Sequence, residues 1–177
     1  MTMLLLIGTF GLNFPIFIST MAVRVFHQGS GRFGLLTSMM ALGSVTGALL
    51  AARRASPRMS FLLAGAMLFG LGCTLAAIMP NYWLFGIALT LVGVAAQTFT
   101  TTTASTVQLG TEPAMRGRVM AILLAIALGT TPIGAPIVGW VADTFGPRWA
   151  LGVAAASGFA AVLVGIAGRE LDDAGPR

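Results

Sequence analysis

The sequence predicts an all-α membrane protein of six transmembrane helices. Three observations predict it. Six long apolar stretches occupy nearly all of the 177 residues. Charged residues make up 8 % of the chain, against about 25 % in ordinary soluble domains, and they gather in the gaps between the stretches. Each stretch holds roughly 20 to 25 residues, enough for an α-helix to cross ~30 Å of hydrocarbon. The spans are read at 3–25, 33–52, 60–79, 84–108, 119–142 and 149–168, and residues 1–168 form one bundle. Residues 169–177 are read as a short tail. No loop is long enough to fold by itself.

The first span starts abruptly at Met3-Leu4-Leu5-Leu6. It has no basic lead and no small-residue cleavage site, so it reads as a true span and not a secretory signal. The missing polar lead predicts an upstream part. Asn13 and Pro15 interrupt this span. The Asn13 amide can close a carbonyl left open near the proline, or face a passing solute.

The second span carries Gly43 and Gly47 four apart, and Ala51 extends the same face. Such spacing lets two backbones approach closely in a bilayer. The third span holds Cys73, the chain's single cysteine. That leaves no partner for an internal disulfide and no cysteine metal site, so Cys73 reads as a small packing residue.

The fourth span is the most polar. Gln97, Thr101, Ser105 and Gln108 recur at helical spacing on one face. Amides and hydroxyls on one face can hydrogen-bond a solute while the path stays uncharged. The competing reading is that the threonine hydroxyls bond their own i−4 carbonyls and the amides tie helices together. A mid-span amide needs partners it cannot supply itself, which favours a pathway role for Gln97.

The fifth span carries Gly129, Gly134 and Gly139 with Pro132 and Pro136. The glycines read as packing positions. Each proline removes a helix hydrogen bond, so Pro15, Pro132 and Pro136 mark helices that kink or flex. Ala41-Leu42-Gly43 in the second span returns as Ala127-Leu128-Gly129 in the fifth. The loops after these spans lie on opposite sides, so the six spans read as two inverted triplets. The sixth span leads to the tail.

Orientation follows from arginine, since the chain has no lysine. Arg53, Arg54, Arg58, Arg116, Arg118, Arg169 and Arg177 share one side; Arg24, Arg32 and Arg148 share the other. The richer side is expected in the cytoplasm. Both termini then lie inside, in a cytoplasmic (plasma or inner) membrane. The net charge of +5 reads as arginines facing anionic headgroups and not as a nucleic-acid surface. Arg53, Arg54, Arg116 and Arg118 can anchor the inner side or, through charge pairs or helix-end contacts, lock one conformation of the bundle. Asp143 reads as a turn residue or as a gating partner for Arg148.

Catalysis finds little support. His27 is the only histidine, and no acid lies well inside a span. No nucleophile stands beside a base at membrane depth, and no glycine-rich loop with a lysine could cradle phosphate. The chain reads as a non-enzyme with no cofactor and no metal site.

The ordered motifs resemble one family. They are Asn13-Phe14-Pro15-Ile16, Arg24-Val25-Phe26, Gly31-Arg32-Phe33-Gly34-Leu35-Leu36 and Gly43-x3-Gly47-Ala48-Leu49-Leu50. They continue with Glu112-Pro113-x2-Arg116-Gly117-Arg118-Val119-Met120-Ala121, Pro132-x-Gly134-x-Pro136-x2-Gly139 and Ala142-Asp143-x2-Gly146-x-Arg148. Together they resemble the C-terminal six-helix half of a major facilitator superfamily transporter, in the branch of the enterobactin exporter and related efflux permeases. One departure stands out. The family's signature between helices eight and nine keeps Gly47, Arg53 and Arg54 but has Ala51 where an Asp would stand.

The resemblance implies a twelve-helix permease that exports a small organic molecule, siderophore-like or drug-like, by alternating access. The first and fourth spans would line its cavity. The implied partners are the cargo, the lipid bilayer and an N-terminal six-helix half, or a second copy in its place. A proton-coupling carboxylate, if the family's usual energy source applies, is expected in that other half. The alternative is a non-transporting six-helix protein whose polar stripe holds a partner helix in a structural or regulatory role.

Overall fold

The computed structural model describes residues 2–53 and 59–173. Among them there is no strand. Six helices are long and apolar enough to cross a membrane: α1 (Thr2–Val25), α2 (Ser30–Ala52), α3 (Met59–Ile78), α4 (Tyr82–Leu109), α5 (Arg116–Thr144) and α6 (Pro147–Asp173). The fold class read from the sequence is the fold observed. The helices begin or end within about a turn of the predicted bounds. The largest difference is α6, which runs on through Asp173 into the segment read as tail. Arg54, Pro57, Arg58 and Arg177 lie outside the described residues.

Short connections force the helices up and down in turn. The end of α1, the starts of α2, α4 and α6, and the ends of α3 and α5 therefore share one end of the bundle, the Arg24 end. The opposite end carries Arg53, Arg116 and Arg118.

α2 packs on α4, α5 on α1, and α3 and α6 pack on each other. α3 also packs on α4, as α6 does on α1. Exchanging α1–α3 for α4–α6 turns this set of neighbours into itself. Three helices per triplet make each helix run opposite to its counterpart, so the triplets are inverted repeats.

The repeat reaches the level of single contacts. A Cβ on Gly93 of α4 would strike the Met40 carbonyl of α2, and one on Gly8 of α1 would meet the Thr130 hydroxyl and, at 3.8 Å, the Ile126 carbonyl of α5. A Cβ on Gly47 would meet the Val94 carbonyl, and one on Gly134 the Thr9 carbonyl. In each case the second-triplet residue follows its counterpart by the spacing that separates Leu42 from Leu128, within one residue. At the centre, Gly158 of α6 abuts the backbone of Gly70 of α3. Without a hydrophobic drive between helices in lipid, such backbone contact is what dispersion and small residues can provide. Phe17, Phe69, Phe85 and Phe99 are fully buried and fill the centre.

Two helices are interrupted. α1 is α-helical only over Thr2–Leu6 and Phe14–Thr20, with π-helical turns at Ile7–Gly11 and Met21–Val25. Leu12 and Asn13 are non-helical. Gly8, Gly11, Asn13 and Pro15 are all poor helix formers, which explains the place of the break. Pro15 sits in the first turn of the restarted helix, where a missing N–H costs nothing. α5 breaks at Thr130, between Arg116–Gly129 and Thr131–Thr144, and Pro132 likewise opens the second piece. Of the three prolines expected to flex helices, only Pro136 lies inside one. α2 and α4, the counterparts of α5 and α1, are unbroken.

Candidate functional site

The face of α4 that carries the polar stripe is not covered by the bundle. Gln97, Thr101 and Ser105 are half-buried and Gln108 is exposed, whereas Thr98, Thr102 and Thr103 on the other side are buried. The Gln97 Nε2 donates to the Thr101 hydroxyl oxygen at 3.3 Å. Neighbouring threonines turn inward on their own helix. The Thr100 hydroxyl donates to the Ala96 carbonyl, Thr103 to Phe99 and Thr106 to Thr102. This back-bonding lets a run of β-branched residues stay helical in a bilayer. It also leaves Gln97 and Thr101 as the pair whose polar atoms face outward together.

Asn13 is not part of that stripe. It is 2 % exposed, at the crossing of α1 with α5. Its Nδ2 donates to the Thr9 carbonyl at 2.7 Å and lies 3.2 Å from where a Cβ on Gly134 would stand. Of the two roles open to Asn13, this geometry provides the local one: the amide closes a carbonyl at the helix break. The carbonyl is that of Thr9, one turn earlier than the helix restart. Thr9 in turn donates its hydroxyl to the Leu5 carbonyl.

The same crossing holds two α5 threonines. The Thr130 hydroxyl donates to the Ile126 carbonyl at 2.7 Å. The Thr131 hydroxyl lies 3.3 Å from the Ala127 carbonyl of its own helix and 3.5 Å from the Gly8 carbonyl of α1. A hydroxyl has one proton, so it serves one of these acceptors at a time. The sequence reading missed both threonines. Their position beside Pro132, which frees a carbonyl, was the available signal.

Asp143, read as a turn residue or as a gating partner for Arg148, pairs with Arg24. Its Oδ1 accepts from the Arg24 guanidinium at 2.7 Å, and Arg24 also donates to the Ala142 carbonyl at 3.3 Å. The pairing with Arg148 is therefore corrected. α5 packs on α1, which brings Arg24 to Asp143, while Arg148 starts the next helix as an exposed residue. Among the described residues Arg116 closes its own loop, donating through Nε to the Thr111 carbonyl at 3.1 Å. Arg53 caps α2 through its backbone N–H, and Arg118 is exposed.

The glycine positions divide. Gly43, Gly47 and Gly134 stand where backbones touch. Gly129 and Gly139 are expected at packing positions, but among the described residues a Cβ on either would meet nothing within 4 Å.

At the Arg24 end, Tyr82 of α4 fastens the start of α2. Its hydroxyl donates to the Arg32 carbonyl at 2.6 Å, and the Arg32 guanidinium stands 5.5 Å from the ring centre. Phe26 from the end of α1 meets the Tyr82 ring edge-on and also touches Phe85. Among the described residues, no group of three or more His, Cys, Asp or Glu could hold a metal ion.

No curated protein and no solved structure matches the chain. One family model does, that of the Major Facilitator Superfamily, over residues 1–176. Its members are membrane transporters, and an all-helical bundle of two inverted triplets agrees with one half of that architecture. The match spans nearly every residue described above, and the chain belongs to the Major Facilitator Superfamily.

Proposed function

We propose that this chain is the C-terminal half of a twelve-helix efflux permease. It moves a small, amphipathic organic molecule out of the cell by alternating access. The observation that carries this reading is the burial pattern. Only 17 % of the most apolar window is buried in α2, and again in α5, against 44 % or more in the other four helices. These two flank the α4 stripe as symmetry counterparts, so the bundle presents one broad uncovered side with polar groups on it. An N-terminal six-helix half seated on α2 and α5 would enclose Gln97, Thr101, Ser105 and Gln108 at the interface, where such transporters place their site.

In this reading the Arg24 end faces outward and both termini lie in the cytoplasm, following the arginine bias. Gln97 and Thr101 hydrogen-bond the cargo, and Ser105 and Gln108 continue the path inward. Asn13 positions α1 and does not touch cargo. Arg53, Arg116, Arg118 and Arg148 border the two mouths. The siderophore-exporter branch rests on the motif resemblance alone.

The test has two parts. An antibody to the tail, applied to native membranes, should detect a band near twice the 18.2 kDa of this chain. The purified full-length protein in proteoliposomes should then export cargo, and Gln97→Leu should alter its cargo profile while leaving assembly intact. A native band at 18.2 kDa that co-purifies with a partner, and loses it on Gln97→Leu without any transport, would instead establish a partner-binding protein.

A further inference from the structure

The two helix breaks lie within about a turn of each other at the α1–α5 crossing. Thr130 of α5 stands against Gly8 of α1, and Gly134, one turn further on, stands against the Thr9 carbonyl and the Asn13 amide. Beyond that crossing both helices run to the Arg24 end as regular pieces, Phe14–Thr20 with its π-helical extension to Val25, and Thr131–Thr144. There the Arg24–Asp143 ion pair and the Arg24 bond to the Ala142 carbonyl join them again. The pieces are thus tied at both ends, by backbone contact at the break and by charge at the tip.

The pseudo-symmetric crossing lacks this arrangement. α2 and α4 meet through the corresponding residues, Gly47 against Val94 and Gly93 against Met40, but both are continuous α-helices. One fold therefore contains the same crossing twice, once rigid and once interrupted in both members. Changes of helix direction are absorbed at π turns, as in α1, and where a proline removes a ladder bond, as Pro132 does beside Thr130. A helix broken alone would bend alone. Two helices broken within about a turn of each other, and bridged at the tip by a solvent-exposed ion pair, can bend as one unit.

We infer that residues 14–25 of α1 and 131–144 of α5 move as a single leaf. It turns about Leu12–Asn13 and Thr130, with Arg24–Asp143 as the latch that keeps its two helices together. The Thr131 hydroxyl, within reach of a carbonyl on each helix, exchanges its bond between Ala127 and Gly8 as the leaf turns. α2 and α4 form the fixed frame. This rests on the alternating-access reading only in requiring that the Arg24 end moves; it is independent of cargo and of coupling.

Spin labels test it on the full protein in lipid nanodiscs, without cargo. Val23→Cys and Trp140→Cys label the leaf, and Trp83→Cys labels the frame; each native residue is 60 % exposed. Cys73 is buried and stays unlabelled. The Val23–Trp140 distance should show one narrow population. Both distances to Trp83 should show two, the minor one up to about 10 %. Asp143→Asn should split the Val23–Trp140 population, and the exchange Arg24→Asp with Asp143→Arg should restore it. Two Val23–Trp140 populations in the unaltered leaf, a single population for the distances to Trp83, or failure of the charge exchange would each overturn the inference. Because transport is not read, loss of the transport reading leaves these outcomes standing.

Discussion

Gly134 of α5 stands directly against the Thr9 carbonyl of α1, where a Cβ has no place. The contact is backbone to backbone, so no side-chain rotation can relieve a substitution there. Gly134→Ala should therefore destabilise the bundle by about 1–3 kcal/mol, the usual cost of overpacking. Gly129→Ala, five residues earlier and facing open space, should be neutral or gain up to about 1 kcal/mol from helix propensity. Thermal unfolding of the two purified variants in detergent measures the contrast. Equal effects would show that α1 and α5 do not approach as described.

Asn13 gives a second prediction. Its amide is the buried donor to the Thr9 carbonyl. Asn13→Ala leaves that carbonyl without the bond in an apolar setting, at a cost of about 1–3 kcal/mol. Asn13→Gln keeps an amide but lengthens the arm, and should recover only part of the loss. If Asn13 instead faced cargo, Asn13→Ala would change transport while leaving the unfolding midpoint in place.

How much of this was legible follows from the kind of information each feature needs. The six spans, their alternation and the inverted triplets were readable, because length, hydropathy and one repeated tripeptide carry them. The packing role of Gly43 and Gly47 was readable from spacing. Gly129 and Gly139 were read the same way, yet among the described residues no other helix stands against them. Spacing reports which face a glycine is on, but not whether a neighbour is there. Asp143 was read as a turn residue or as a partner for Arg148, near in sequence, and not as a partner for Arg24, near in space. That pairing depends on α5 packing against α1, which no local motif states. The break at Leu12–Asn13 was half legible: Pro15 marked it, but the opening falls before the proline.

Tyr82 supplies a local test at the Arg24 end. Its hydroxyl bond to the Arg32 carbonyl pins α4 to the start of α2. Tyr82→Phe removes that bond and keeps the ring contacts with Phe26 and Trp83. The expected loss is about 0.5–1.5 kcal/mol, the net value of one hydrogen bond. Tyr82→Ala, which also removes the rings' contact, should cost clearly more. Equal losses in both variants would mean that the ring contributes nothing.

The α4 stripe carries the last prediction. Gln97 and Thr101 hold each other through one long bond of 3.3 Å, so the pair contributes little to stability and remains available to a solute. Replacing both, Gln97→Leu with Thr101→Val, should leave the unfolding midpoint nearly unchanged. It should reduce export of a catecholate siderophore, rich in hydrogen-bonding groups, about tenfold, which corresponds to about 1.4 kcal/mol. Export of a lipophilic cationic dye, held mainly by apolar contact, should fall by less than about threefold, about 0.65 kcal/mol, the low end of one such bond. The physical reason is that an amide and a hydroxyl discriminate by the partners a cargo offers, while an aliphatic surface does not. Equal losses for both cargoes would show that the stripe shapes the path without reading the molecule. A large fall in the unfolding midpoint would show that Gln97 and Thr101 act in assembly.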